Sequence, residues 1–402
     1  MELTLQDFEL AARRLAPIIH NTNLSPSSTF TEMTGGEVYL KCENLQKTGS
    51  FKIRGAANKI AALVERGETA GVVASSAGNH AQGVAYAASK NGIPATIVMP
   101  AAAPIAKVQA TQGYGANVVL HGECYDDAYA KAMEICEQEQ ATFLHPFNDP
   151  EVMAGQGTIA LEILRALPTV DTILVPAGGG GLLGGVAACT KLINPRVRVI
   201  GVQASGASAI ARSFREKSAV STESVSTIAD GIAVKTPGDK TMEMILKYAD
   251  DVVTVTDNEI SSAILLLMER SKLIVEPAGA TTLAAVLSGK VDAAGKKIAC
   301  VLSGGNIDVS FIPKIIEQGL VSRHRRLKFG VCLPDTPGSL RRLLQVIADA
   351  GANVMSIGHD RLAPNLTPTE IIVHIACEVG GESHGKALID ALEKNEYKVT
   401  KE

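Results

Sequence analysis

Through roughly the first 320 residues, short apolar runs alternate with longer stretches of helical period. The pattern opens with a helix over Leu5–Leu15, with Leu5, Phe8, Ala12 and Leu15 on one stripe, and a strand over Val38–Cys42 that leads to a helix over Ile53–Val64. Strands then read over Gly71–Ser75, Ala95–Met99 and Asn117–His121, and helices over Asn79–Asn91, Ile105–Tyr114 and Tyr125–Gln138. A second series follows: helix Glu151–Leu167, strand Thr172–Pro176, helix Leu182–Leu192, strand Val197–Gln203, helices Glu259–Leu273 and Ala278–Leu287, and strand Ile298–Leu302. Strands separated by helices are joined by crossovers, so the sheets are parallel and covered by helix on both faces. Two α/β lobes are expected, with a site in the crevice between them. Ser213–Lys240, rich in Ser, Thr and Gly, has no period and reads as loop with short elements.

The pattern changes near the C-terminus. Leu327–Leu333 reads as a strand, Ser339–Ala350 as a helix, Asn353–Leu362 and Thr369–Val379 as strands, Gly385–Lys394 as a helix and Tyr397–Val399 as a short strand. This β-α-β-β-α-β order is the ferredoxin-like one. We divide the chain into residues 1–322, with a smaller lobe of about 43–146 inserted in a larger one, and residues 323–402. Arg323-His324-Arg325-Arg326 at the junction reads as a solvated linker.

Between the Val38–Cys42 strand and the following helix lies K-T-G-S-F-K-I-R-G, Lys47–Gly55. Lys52 falls at a helix N-terminus, where the dipole disfavours an ammonium and favours the neutral amine. A neutral lysine amine forms Schiff bases with carbonyl compounds. Phe51 offers an aromatic face beside it. Pro176–Gly185, P-A-G-G-G-G-L-L-G-G, joins a strand to a helix, and its exposed N–H groups at a helix N-terminus make a phosphate cradle. Gly179-x-Gly181-x-x-Gly184 also matches the dinucleotide fingerprint, but the next strand ends in Gln203 with no acid nearby to hold a ribose. One phosphate is favoured. Ser75–His80, S-S-A-G-N-H, again joins strand to helix and suits a carboxylate, a plain helix cap being the other reading.

S-F-K-I-R-G-A, S-S-A-G-N-H-A-Q-G at Ser75–Gly83 and Gly178–Gly181 together resemble the threonine/serine dehydratase family, whose members use pyridoxal phosphate (PLP). The resemblance implies the two-lobed fold type II of such enzymes (tryptophan synthase β-like) and Lys52 as the residue that carries the cofactor. It also implies that Gly178, Gly179, Gly180, Gly181 and Leu182 bind phosphate, that Asn79 faces the phenolic oxygen, and that Ser303 in L-S-G-G-N meets the pyridine nitrogen. Ser76, Ala77, Gly78, Asn79 and His80 would hold the substrate carboxylate, and Gly231 in A-D-G and Glu276 in E-P-A-G-A would line the site. An uncharged serine at the pyridine nitrogen stabilises a carbanion poorly, so prompt β-elimination fits better than transamination. The implied activity is dehydration of a hydroxy amino acid, threonine before serine. A β-replacement enzyme, or an inert amino-acid-binding regulator, is the alternative.

The related serine racemases carry serine where this chain has Ala77, and carboxylates where it has Gln203 and Ala209, so neither racemisation nor a bound divalent cation is expected. No H-x-x-x-H or C-x-x-C occurs, and no metal site is read. D-T-P-G-S-L at Asp335–Leu340 and G-A-N-V at Gly351–Val354 resemble the ACT family of amino-acid-sensing domains. That likeness implies an effector held near Asp335, Gly338 and Asn353 in a homo-oligomer (tetramer or dimer), a domain that only oligomerises the chain being the other reading. The dehydratase resemblance, with a product feeding branched-chain synthesis, favours isoleucine as effector with valine opposing. The net charge of −4 gives no reason to expect nucleic acid or an anionic membrane as partner. Seven cysteines without pairing motifs and no apolar leader suit a cytoplasmic protein.

Overall fold

The computed structural model describes residues 2–364 and 366–401. β1 (Leu24–Pro26) and β2 (Glu37–Lys41) open a sheet that the chain then leaves. β3 (Val72–Ser75), β4 (Ala95–Met99), β5 (Asn117–Leu120) and β6 (Thr142–Phe143) build a separate parallel sheet in the order β5-β4-β3-β6. The chain returns for β7 (Thr172–Pro176), β8 (Arg198–Ala204), β9 (Asp251–Val255) and β10 (Lys297–Val301). They complete the first sheet, β1-β2-β10-β7-β8-β9, which is parallel except for β1 against β2. Every residue of β4 and β7 is buried, as strands covered on both faces require.

Three helices fix the start of the lysine segment. Lys52–Glu65 packs between Asn79–Asn91 and Pro150–Ala166, and both neighbours come close because of a glycine. A Cβ on Gly83 would lie 3.1 Å from the backbone N of Ile53, and one on Gly155 would lie 2.5 Å from the carbonyl O of Arg54. Pro150 at the first helical position and the Asp149 carboxylate, which accepts from the N–H groups of Glu151 and Val152, set the third helix's start.

Several elements differ from the sequence reading. β9 was not expected, and the Ser213–Lys240 stretch is flanked by helices Ala209–Glu216 and Asp239–Tyr248 and holds a short turn of helix at Asp230–Ile232. The helix expected over Glu259–Leu273 stays α-helical over Asp257–Leu266 and ends in a wider turn, Leu267–Ser271, closed by Lys272 in a left-handed conformation. A helix at Ile312–Ser322 also went unread, and contacts divide the chain at Val309/Ser310, so this helix goes with the C-terminal unit rather than ending the first. The basic run is not a free linker. Arg326 starts a strand and pairs with Glu317 at 3.0 Å, which ties that strand to the helix.

In the C-terminal unit β11 (Arg326–Pro334), β12 (Asn353–Asp360), β13 (Glu370–Glu378) and β14 (Val399–Lys401) form an antiparallel sheet in the order β12-β13-β11-β14. With helices Ser339–Asp349 and Glu382–Lys394 this is the ferredoxin-like arrangement. β13 alternates, burying Ile371, Val373, Ile375 and Cys377 against Leu343, Ile347, Leu388 and Leu392 of the helices. β12 is an edge strand, with Met355 and Ile357 exposed.

Candidate active site

Lys52 is the first residue of its helix, and Phe51 precedes it. Its amine donates to the carbonyl of Pro146 at 3.0 Å and lies 5.4 Å from the Phe51 ring centre. Burial pulls the Lys52 pKa down to about 8, opposed by the Glu276 carboxylate. Two residues on, the Arg54 guanidinium donates to Glu43 at 2.7 and 2.8 Å and to Glu162 at 2.7 and 2.8 Å. Lys41 and Thr22 complete this buried cluster through Glu162 and Glu43 respectively. Burial lowers the Arg54 pKa, but the two carboxylates outweigh it and hold it above its ordinary value. With every charge matched, the cluster anchors the lysine helix at the end that matters.

The loop carrying Lys52 is zipped to the loop after β10. Phe51 N–H donates to the carbonyl of Ser303 at 3.0 Å, Gly305 N–H to that of Gly49 at 2.9 Å, and Ser50 bridges Gly304. Ser303 is buried there. Glu276 N–H donates to the Gly304 carbonyl at 2.9 Å, and a Cβ on Gly304 would lie 2.4 Å from Glu276 Oε1. A Cβ on Gly231 would lie 3.5 Å from the same oxygen. Burial pushes the Glu276 carboxyl up to about 7, with donation by Asn79 opposing.

Asn79 starts its helix in the smaller lobe and reaches across to the larger. Its amide nitrogen donates to both Glu276 oxygens at 2.9 and 3.0 Å, and its oxygen accepts from Asn306 at 2.7 Å. Asn306 also donates to the Thr48 carbonyl at 2.8 Å. In the same segment the Ser76 hydroxyl accepts from Gly78 N–H at 3.2 Å, and Ala77 packs on the smaller lobe's core. His80 is buried with its ring 2.8 Å from the Leu144 carbonyl, and burial holds its pKa down at about 3. What Ser76–His80 can offer a carboxylate is therefore backbone N–H and the serine hydroxyl, not the imidazole.

Gly178–Gly181 follows β7 and opens the helix Gly181–Ile193, with Gly180 at φ +97°. The first N–H groups of that helix, Leu182's among them, have no intrahelical partners. A Cβ on Gly179 would lie 2.3 Å from the Phe147 ring, and the Thr241 hydroxyl donates to the Gly179 carbonyl at 2.7 Å. Gln203, late in β8, accepts from Ala211 N–H at 2.8 Å and supplies no carboxylate for a ribose.

The lysine, Phe51, Asn79, Gly231, Glu276 and Ser303 thus meet in one cluster, joined through Pro146 and Phe147 to the glycine loop. Sequence reasoning missed Pro146, Phe147, Thr241 and Asn306, which act through a backbone carbonyl, a ring edge and hydrogen bonds that no short motif marks. Asp335, Gly338 and Asn353 lie in the other unit. There the Asp335 carboxylate accepts from Arg361 at 2.9 Å, Gly338 at φ +93° caps the helix Ser339–Asp349, and exposed Asn353 begins β12. Among the described residues no group of three His, Cys, Asp or Glu lies together as a metal site would require, and no helix is long and apolar enough to cross a membrane.

The family model described as pyridoxal-phosphate dependent enzyme matches residues 15–304. An L-threonine ammonia-lyase of Thermotoga maritima is 50% identical over 397 residues, covering 99% of each chain. Among solved structures, maize serine racemase is similar at a TM-score of 0.75 and 37% identity, covering 81% of this chain and 100% of its own. The processed threonine deaminase isoform 2 of Solanum lycopersicum is similar at 0.74 and 35%, covering 78% and 87%.

Proposed function

The chain belongs to the pyridoxal-phosphate-dependent enzyme family, and from that premise we propose that it deaminates L-threonine to 2-oxobutanoate and ammonia. The observation that carries this reading is Lys52: a half-buried lysine whose amine is shifted toward its neutral form, at the head of an anchored helix beside a phosphate cradle. The residues present fit the cofactor. Lys52 suits its aldehyde, Gly178–Leu182 its phosphate, and Ser303 and Asn79 the edges of its ring. Thr48 and Ser50, in the lysine segment, and Ser75, at the end of β3, carry buried hydroxyls with no hydrogen-bond partner among the described residues.

When bound, pyridoxal phosphate supplies an electron sink for the electron pair left at the α-carbon. Lys52 Nζ takes the α-proton, since a pKa near 8 leaves a usable fraction of free amine near neutral pH. Ser76 and the N–H groups of Ala77–Asn79 orient the substrate carboxylate. Glu276, held by Asn79, ties the smaller lobe to the larger at the site. Ala77 offers no hydroxyl on the face opposite Lys52, so elimination is favoured over racemisation. L-Serine, with the same leaving group, is a second substrate yielding pyruvate.

The test is a visible spectrum of the purified protein before and after L-threonine, with an assay for 2-oxobutanoate. Lys52→Ala should keep its fold, lose the cofactor band bound to lysine and lose turnover by at least about a thousandfold. Turnover at the normal rate in that variant would sink the assignment.

The C-terminal unit supports a second, regulatory role. An exposed edge strand with apolar Met355 and Ile357 is a surface that a second copy of the chain would cover, which favours a homo-oligomer. The Asp335–Gly338 turn and Asn353 offer the polar groups an amino-acid effector needs, and isoleucine is our choice. Asn353→Ala in the full chain should lose isoleucine inhibition and keep its turnover without isoleucine. Equal inhibition would remove Asn353 from that role. Seven free cysteines suit the reducing cytoplasm.

A further inference from the structure

We infer that His145 is a positioning residue whose ring Nδ1 shapes the turn His145–Asn148 so that one segment sets both the Lys52 amine and the phosphate loop. The inference rests on Lys52 and Gly178–Leu182 being the cofactor site. His145 lies just after β6, the shortest strand of the smaller lobe. Its Nδ1 accepts from the N–H of Phe147 at 3.2 Å and of Asn148 at 2.9 Å. A ring nitrogen that accepts twice carries no proton, so the hydrogen of the neutral imidazole is on Nε2. Edge-on contacts with Phe143 and Phe147, with centres 6.2 and 4.6 Å away, hold the ring upright.

Everything the turn presents then goes to the site. The Pro146 carbonyl takes the Lys52 amine. The Phe147 ring and backbone fill the space that side chains on Gly179 and Gly181 would need. Asn148 donates to Asp239 at 2.6 Å and accepts from Lys240 N–H at 3.0 Å, at the head of the helix whose Thr241 hydroxyl holds the Gly179 carbonyl. The glycine loop is thus gripped twice from one turn, directly by Phe147 and through Asn148 and Thr241. A shift of the turn moves the lysine's acceptor and the phosphate cradle together. A displacement of about 1 Å at such a site is enough to cost a hundredfold in rate.

The role needs an acceptor two bonds beyond Cβ, and not an imidazole as such. Asparagine carries its amide oxygen at that position and accepts from the N–H groups two and three residues on. His145→Phe keeps a ring between Phe143 and Phe147 but has no acceptor. The measurements are melting temperature, the Kd of the apoprotein for pyridoxal phosphate by fluorescence titration, and kcat and KM for L-threonine at saturating cofactor. We expect His145→Asn to stay within about threefold of the unsubstituted chain in Kd and kcat. We expect His145→Phe to lose at least about tenfold in both, with KM changed less than kcat and the melting temperature within a few degrees. An unaffected His145→Phe, or equal losses in the two variants, would overturn the inference. If His145→Phe does not fold, His145→Asn decides alone: retained Kd and kcat support the acceptor, and a tenfold loss in either removes it. The unsubstituted chain is the control for the site itself, because a protein that bound no pyridoxal phosphate would fail before any variant was compared.

Discussion

In the first unit Arg54, Glu43 and Lys41 are buried and each is matched by opposite charge, whereas in the C-terminal unit, among the described residues, Ser339 alone of the polar residues is buried. The C-terminal unit leaves pairs such as Asp335–Arg361 exposed, covers Arg326 only in part against exposed Glu317, and fills its interior with aliphatic side chains around Phe329. The difference follows from what each must hold still. The proposed role of Lys52 needs an amine fixed to a fraction of an ångström, and buried, matched ion pairs favour one geometry because any other leaves a charge unpaired. A unit that presents turns and a sheet edge to solvent needs only an apolar core and a defined surface.

The sharpest way to break this comparison is Arg54→Met. It leaves Glu43 and Glu162 without their shared partner and should cost about 3–5 kcal/mol in denaturant unfolding. A loss comparable to that of an exposed pair would mean the cluster is ornamental. A smaller effect is expected from Glu276→Gln, and its sign depends on pH. The Glu276 pKa is raised by burial to about 7, so the folded state holds the proton more tightly than the unfolded one. Its contribution is present in full below the unfolded value and is lost as pH rises through about 7. Relative to the unsubstituted apoprotein, Glu276→Gln should therefore gain more than about 1 kcal/mol on going from pH 5 to pH 8. A difference independent of pH would place the carboxylate in water. The smallest effect belongs to Asp335→Asn, which removes an exposed partner of Arg361 and should leave the unfolding midpoint unchanged. A large shift there would erase the contrast between the units.

How legible each part was in the sequence follows the same physics. β4 and β7 read cleanly because a strand buried on both faces must be apolar throughout, and the helix Asn79–Asn91 because glycines bound it at both ends. β9 did not, since its first four residues are only half-buried at the sheet's edge and it opens on an aspartate. The lysine, the glycine loop and Ser303 stand in local motifs, so a linear reading finds them. The ring of His145, the carbonyl of Pro146 and the pairing of Asn79 with Glu276 depend on segments far apart in the chain, and no local spacing records them. Arg54 lies inside the motif that points to Lys52, but its partners, buried Glu43 and half-buried Glu162, are far apart in the chain.

The seat of β10 between β2 and β7 governs how the molecule is made. The smaller lobe's four strands are contiguous in the chain and can pair soon after they leave the ribosome. β2 has no such option. Its parallel partner emerges only when Lys297–Val301 has been synthesised, and until then one side of β2 and one side of β7 are open edges. The same late strand delivers the loop that zips onto Ser50 and carries Ser303. The nascent chain therefore holds the Lys52 segment without this partner loop until β10 has been made. Pairing between strands so far apart in sequence is intrinsically slow, and a strand edge left open in the meantime is a site where another chain can pair.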